Sequence, residues 1–225
     1  MTNLEKILNW IPQLLKGAQV TVSLTLLSIC AGLVLSLFLA LGKISKNVII
    51  NKACSAYTFF FRGTPLLMQL FFIYYALPQL SDFFKIRTGN LNTDRYIYAF
   101  IAYSLNAAAY LAEIIRAAIQ SIDKGQFEAS RALGLSYAQT MRLIIIPQSI
   151  RRLIPPVGNE FIMMLKDVSL VSMIALVDIT RVTRRIHTST ASALVFIPAM
   201  ILYLIITAVF TFIFSKLEKK YSVYE

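Results

Sequence analysis

Glu160, Lys166 and Asp167 lie inside GNEFIMMLKDVSLVSMI, a run otherwise apolar enough to enter a bilayer. On a helix, Glu160, Met163, Met164 and Asp167 fall at i, i+3, i+4 and i+7 and share one face. Lys166 projects about 100° away from Asp167 and pairs poorly with it. The two carboxylates are then about 10 Å apart along the axis, with two flexible methionines between them. That is roughly the length of an extended long-chain amino acid. One carboxylate would meet the α-ammonium group and the other a side-chain cation, while Lys166 or a helix end meets the α-carboxylate. Insertion energetics show that the segment needs company. In residues 157–177, ten Val, Leu, Ile and Phe side chains contribute roughly −3 to −6 kcal/mol, whereas three mid-span charges cost about +7 to +10 kcal/mol. Such a helix must face protein neighbours, a watery cavity or both.

Other residues are candidates for the same cavity. Arg62-Gly63-Thr64-Pro65 is a helix break, which brings Gly63 and Thr64 forward, with Met68 one turn beyond. Asn106 and Tyr110 are one turn apart in another apolar run, and Ser169 follows Asp167. Upstream of Glu160, Ile154-Pro155-Pro156-Val157-Gly158 is expected to interrupt regular helix and free backbone groups near the site. Structural roles compete with each assignment. Glu160 and Asp167 could form interhelix salt bridges with Arg62 or Arg116. Lys166 could snorkel or meet another subunit. Asn106 and Tyr110 could hydrogen-bond between helices, and Met163 and Met164 could simply pack.

These residues need elements to hold them, and composition names the class. Of 225 residues 57% are hydrophobic and 15% charged, which is the balance of an integral membrane protein. No basic, apolar, small-residue leader precedes the first apolar stretch, so the N-terminus is expected to be retained. The net charge of +11 comes from Lys and Arg scattered at the ends of apolar segments, a pattern for membrane flanks and not for nucleic acid. Cys30 and Cys54 form neither a metal pattern nor a disulfide framework.

The expected fold is all-α: a polytopic membrane protein in one domain, 1–225, with five transmembrane helices at about 17–42, 56–80, 96–119, 157–177 and 188–215. Glu113 and Arg116 in the third span are three residues apart and can neutralise each other. Before the first span, Leu4, Ile7, Leu8, Ile11 and Leu15 recur at helical spacing beside Trp10, which predicts an interfacial helix lying on the membrane. Basic residues are somewhat richer in the segments that are inside when the C-terminus is cytoplasmic and the N-terminus outside, although Arg181, Arg184 and Arg185 run against that bias. His187 is expected in a solvated loop with Thr188 and Ser189.

The longest polar connection, about 121–152, looks built for docking. Glu128 to Leu133 reads as a short helix, Gly134 can take the positive φ of a helix end, and Ser136 with Gln139 forms a capping box for a second helix. Pro147 is expected to end or kink it. Glu128-Ala129-Ser130, then Gly134, then Ile144 and Ile146-Pro147, resembles the EAA loop of ABC importer permeases, with Ser130 and Ile146 replacing the usual Ala and Leu. The blocks FRGTPLLMQLFFIYY, AAAYLAEIIRAAIQSIDKGQ and NEFIMMLKDVSLVSMI are similar to the polar amino-acid branch of that family, in the same order. The resemblance covers about Leu14 to Tyr221.

The resemblance implies a permease subunit that works in a pair, as a homodimer or with a close paralogue, in a bacterial inner or plasma membrane. It implies coupling of Glu128, Ala129, Ser130, Gly134 and Pro147 to a cytoplasmic ABC ATPase dimer, and delivery of an amino-acid substrate by an extracellular solute-binding protein. The chain has no Gly-x4-Gly-Lys-Ser/Thr loop, because Gly42-Lys43 is followed by Ile44. No enzyme activity or cofactor is expected in it; ATP and Mg belong to the partner ATPase. Among substrates, two carboxylates favour basic amino acids such as arginine, lysine or histidine, with glutamine the alternative. A stand-alone channel or secondary transporter is the reading from another class, and a scaffold without transport a third. Internal repeats, usual in secondary transporters, are not evident.

Overall fold

The computed structural model describes residues 2–221 and is all-helical over them. Helix α1 (Asn3–Ile44) begins at a capping box in which Thr2 accepts from the Glu5 N–H and Glu5 accepts from the Thr2 N–H. It is a single helix, so the interfacial segment expected before Gly17 is not a separate element. Nothing breaks the chain there. Gly17 stays helical and lies so close to the backbone of Asp178 and Ile179 that an added Cβ would come within 2.8 Å. Trp10 and Leu14 are buried against Ile179, Val182 and Val195, with Ile7 partly buried beside them, whereas Leu8, Ile11 and Leu15 of the predicted apolar face stay exposed. The side chain of Leu4 lies outside the described residues, as do Met1 and residues 222–225 of the expected domain.

Helix α2 (Val48–Gly63) stops at Thr64-Pro65, and the chain resumes as α3 (Leu66–Phe71), a π turn over Phe72–Ala76 and α4 (Leu77–Leu80). Pro65 removes a donor and restrains Thr64, which is extended, so helix cannot run through the pair. Helix α5 (Leu91–Gln120) is the central post: it packs along α1 and also contacts α2, α3 and the long helix α8 (Ile146–Asp167). Gly32 of α1 lets α5 approach closely, since a Cβ there would come within 2.7 Å of the Ala107 Cβ. Small residues at such a contact favour close packing where water does not drive association.

After α5 come α6 (Lys124–Ala132) and α7 (Tyr137–Thr140), joined through Gly134 at φ +78°. Ser136 accepts from the Gln139 N–H and Gln139 accepts from the Ser136 N–H, closing the capping box. Helix then continues through a π turn, Met141–Ile145, into α8. Pro147 does not end this run: it sits in the first turn of α8, directly after the π turn, where its missing N–H costs least. Pro155 and Pro156 likewise lie inside α8, contrary to the break expected there. Their φ is compatible with helix, both rings are exposed, and the cost is two missing ladder bonds. The interruption comes later. Helix α8 ends at Asp167, tightens into 3-10 turns over Val168–Ile174, and reverses at Ala175 with φ 60°.

Asp178 caps α9 (Ile179–Thr190), accepting from the N–H groups of Thr180 and Arg181 at 3.0 and 2.8 Å. His187 is therefore in a helix and not in a loop, with its Nδ1 3.2 Å from the Ser192 carbonyl oxygen and its ring beside Phe196. The last helix, α10 (Phe196–Tyr221), packs on α8 through Phe161, whose ring centroid is 4.5 Å from that of Phe210 and 5.5 Å from that of Phe214. Among the described residues, three helical stretches are long and apolar enough to cross a membrane: Glu5–Ile44, Leu91–Gln120 and Ala193–Tyr221. The second expected span is split at Thr64-Pro65, and the fourth is the charged helix α8.

Candidate functional site

Two interrupted helices end at one place. Arg62 to Leu66, at the break after α2, face the last two turns of α8 across a cleft of about 390 Å³. Glu160, Met163, Met164 and Asp167 line it from α8, and Asn106 and Tyr110 line it from α5. Glu160 is partly buried, Asp167 is exposed, Met163 is 49% exposed and Met164 2%. The methionine pair is thus divided, with Met164 tied into the core beneath the cleft and Met163 free to move above it.

Hydrogen bonds fix the walls. Gln69 is buried, and its Nε2 donates to the carbonyl oxygens of Phe61 and Thr64 at 2.8 and 3.0 Å and to Thr64 Oγ1 at 2.8 Å. Asn106 Nδ2 donates to Gln69 Oε1 at 2.9 Å and to the Phe61 carbonyl at 3.2 Å. These bonds satisfy backbone groups that the helix break leaves open and lock α2 and α3 onto α5. On the opposite wall, Tyr103 donates its hydroxyl to the Asp167 carbonyl at 2.7 Å, holding the end of α8 where the chain leaves regular helix.

Charges are distributed unevenly. Among the described residues neither Glu160 nor Asp167 has an ion-pair partner within 4.0 Å. Arg116 pairs with Glu113 of its own helix at 2.8 Å, and Lys43 of α1 joins the same carboxylate while also donating to Thr58 at 2.7 Å. Arg116 is thus committed away from the cleft. Arg62 lies over the face of Tyr110, with its guanidinium carbon 5.3 Å from the ring centroid. A second cleft of about 480 Å³, towards the α6 end of α5, holds the Lys43 and Glu113 pair and shares Arg62 and Gly63 with the first.

The sequence candidates divide accordingly. Gly63, Thr64, Asn106, Tyr110, Glu160, Met163, Met164 and Asp167 come together in one cleft. Met68 lines a neighbouring apolar pocket with Phe60 and Phe72. Lys166 is exposed and, like Ser169, does not line the cleft. Asn106 is already engaged as an interhelix donor. Arg62, expected at the helix break that walls the cavity or as a salt-bridge partner, lines the cleft itself, and Gln69 is a participant that the sequence does not mark, because a lone amide in an apolar run gives no periodic signal.

At the α6–α7 corner, Glu128 and Ala129 are exposed beside Leu133, 80% exposed, and Tyr137, 66% exposed. Ser130 is buried and bonds back to the Gln126 carbonyl, so its hydroxyl is turned inward. Pro147 is exposed at the start of α8, in line with the corner's second helix. The corner of α6 and α7 therefore forms an exposed knob that carries the apolar side chains of Leu133 and Tyr137.

The family described as binding-protein-dependent transport system inner membrane component matches residues 32–223. The L-cystine transport system permease protein TcyL of Bacillus subtilis (strain 168) is 38% identical over 94% of this chain and 88% of its own. The glutamine transport system permease protein GlnP of Escherichia coli (strain K12) is 36% identical over 93% of both chains. The arginine transport system permease protein ArtQ of B. subtilis (strain 168) is 37% identical over 93% of both. The crystal structure of an amino acid ABC transporter with histidines contains a chain that superposes with TM-score 0.88 at 36% identity, covering 98% of this chain and 99% of that one. An inward-facing MetNI methionine ABC transporter shares the fold at TM-score 0.76 and 18% identity. With its helices, split cleft and exposed knob, the chain belongs to the family of binding-protein-dependent transport system inner membrane components, in the branch of amino-acid ABC permeases.

Proposed function

We propose that this chain is the permease subunit of an ATP-driven importer of basic amino acids, and that Glu160 and Asp167 bind the two cationic ends of the substrate. One observation carries the substrate assignment: two carboxylates face one cleft of about 390 Å³, and among the described residues no cation lies within 4.0 Å of either. A carboxylate in a membrane protein interior is costly without a partner, and a dicationic amino acid supplies one for each. Relatives named for cystine, glutamine and arginine transport are about equally similar to this chain, so overall identity does not select the substrate.

In this reading the permease works as a pair with its own copy or a close paralogue. The knob formed by α6 and α7 docks on a cytoplasmic ATPase dimer, which holds ATP and Mg, and a solute-binding protein delivers the substrate outside. The N-terminus is outside and the C-terminus cytoplasmic. Closure of the ATPases draws the knobs together and turns the cleft outward. The exposed Leu133 and Tyr137 support the docking, because uncovered apolar side chains on a polar connection favour a protein partner. Reconstituted transporter tests the substrate: D167N lowers arginine uptake at least about tenfold and glutamine uptake less than about threefold. Equal loss of both, or of neither, contradicts the preference for cations.

A further inference from the structure

We infer that Arg62 is the receptor for the substrate's α-carboxylate, an inference that rests on the amino-acid reading of the cleft above. Once two carboxylates have met the two cations of a basic amino acid, its own carboxylate is left in a confined site beside negative charge. It needs a protein cation. Among the described residues that line this cleft, Arg62 is the cation. Lys43 and Arg116 are both engaged with Glu113, and Lys166 lies outside the lining.

The surroundings of Arg62 suit the role. Its guanidinium carbon lies over the Tyr110 ring, 5.3 Å from the centroid, a cation–π contact that uses none of its N–H hydrogen bonds. It makes no ion pair within 4.0 Å among the described residues, with Glu160 in the same cleft. The backbone on either side is fixed, because Gln69 holds the carbonyls of both Phe61 and Thr64. A Cβ built on Gly63 would meet nothing within 4 Å, so the space beside Arg62 is open to a ligand. A planar guanidinium on a pinned backbone is the side chain best suited to grip a carboxylate with two parallel hydrogen bonds.

The test compares arginine with agmatine, which is arginine without its carboxylate, in equilibrium binding to the detergent-solubilised permease–ATPase complex in the absence of binding protein. The wild type binds agmatine at least about tenfold more weakly than arginine. In R62A the arginine affinity falls at least about tenfold, while agmatine binds as well as or better than before, because a like charge has gone. R62K, which keeps the charge and loses the fork, gives an intermediate loss for arginine alone. Equal weakening of both ligands indicates a structural role and overturns the inference, as does tightening of both or no change in either. Should the wild type bind glutamine and not arginine, the cationic reading fails separately. The same comparison between glutamine and its decarboxylated counterpart, 4-aminobutanamide, then tests Arg62: selective weakening of glutamine by R62A supports the inference, and equal effects overturn it.

Discussion

Gln69 joins three backbone and side-chain acceptors at the break after α2 and receives a fourth bond from Asn106. Replacing it by Leu strands the Thr64 carbonyl, leaves the Phe61 carbonyl with Asn106 alone and removes one partner of Asn106, at a cost of about 2 kcal/mol or more. Q69L should lower the thermal unfolding midpoint of the detergent-solubilised protein by about 4–8 °C; an unchanged midpoint would show that the network does not hold the break. Much of the cleft was legible one residue at a time. Glu160 and Asp167 announce themselves because charge in an apolar run is expensive and a seven-residue interval returns to the same helical face. Gln69 does not, since its role arises from backbone groups supplied by other turns of the chain. Lys166 shows the reverse case, a charge that stands out in the sequence and lies outside the cleft lining. Adjacent to Asp167 in sequence, it points to another face, and no rule of spacing brings it into the cleft.

The α6–α7 corner turns on Gly134, whose φ of +78° is strained for a side chain branched at Cβ. G134V should therefore reduce substrate-stimulated ATPase activity of the assembled transporter at least about fivefold, since forcing that conformation costs on the order of 1–3 kcal/mol. Asn tolerates the left-handed region, so G134N should retain most of the stimulation; full coupling in G134V would remove the corner from the coupling path. Elements bounded by local chemistry were readable in advance, as the Ser136 and Gln139 capping box and the Thr64-Pro65 break illustrate. Elements bounded by tertiary packing were not. Nothing in the sequence says that α1 passes through Gly17 unbroken and receives the backbone at the start of α9 against that glycine. Nor does it say that α8 accommodates Pro155 and Pro156 yet gives way at Asp167, where Tyr103 takes up the backbone carbonyl.

Across the whole molecule, the charged helix α8 packs against α5 and α10, and the two broken elements meet against α5 to make a polar cleft in an apolar bundle. Interruption of helix within a membrane protein is tolerable where the freed groups are buried in protein or face a cavity, and both conditions hold at Thr64 and Asp167. The apolar surface of α10 is largely uncovered in the single chain, as expected for a helix that faces lipid or a second subunit. Class and helical architecture followed from composition and apolar runs, whereas the number of spans did not, because splitting and charge remove two of five from any simple count of long apolar helices. The most direct measurement is a structure of the permease–ATPase complex with arginine bound at saturating concentration. The expected density bridges Glu160 and Asp167 with the α-carboxylate turned towards Arg62; density at another site, or an empty cleft in a complex that fills with glutamine, would contradict it.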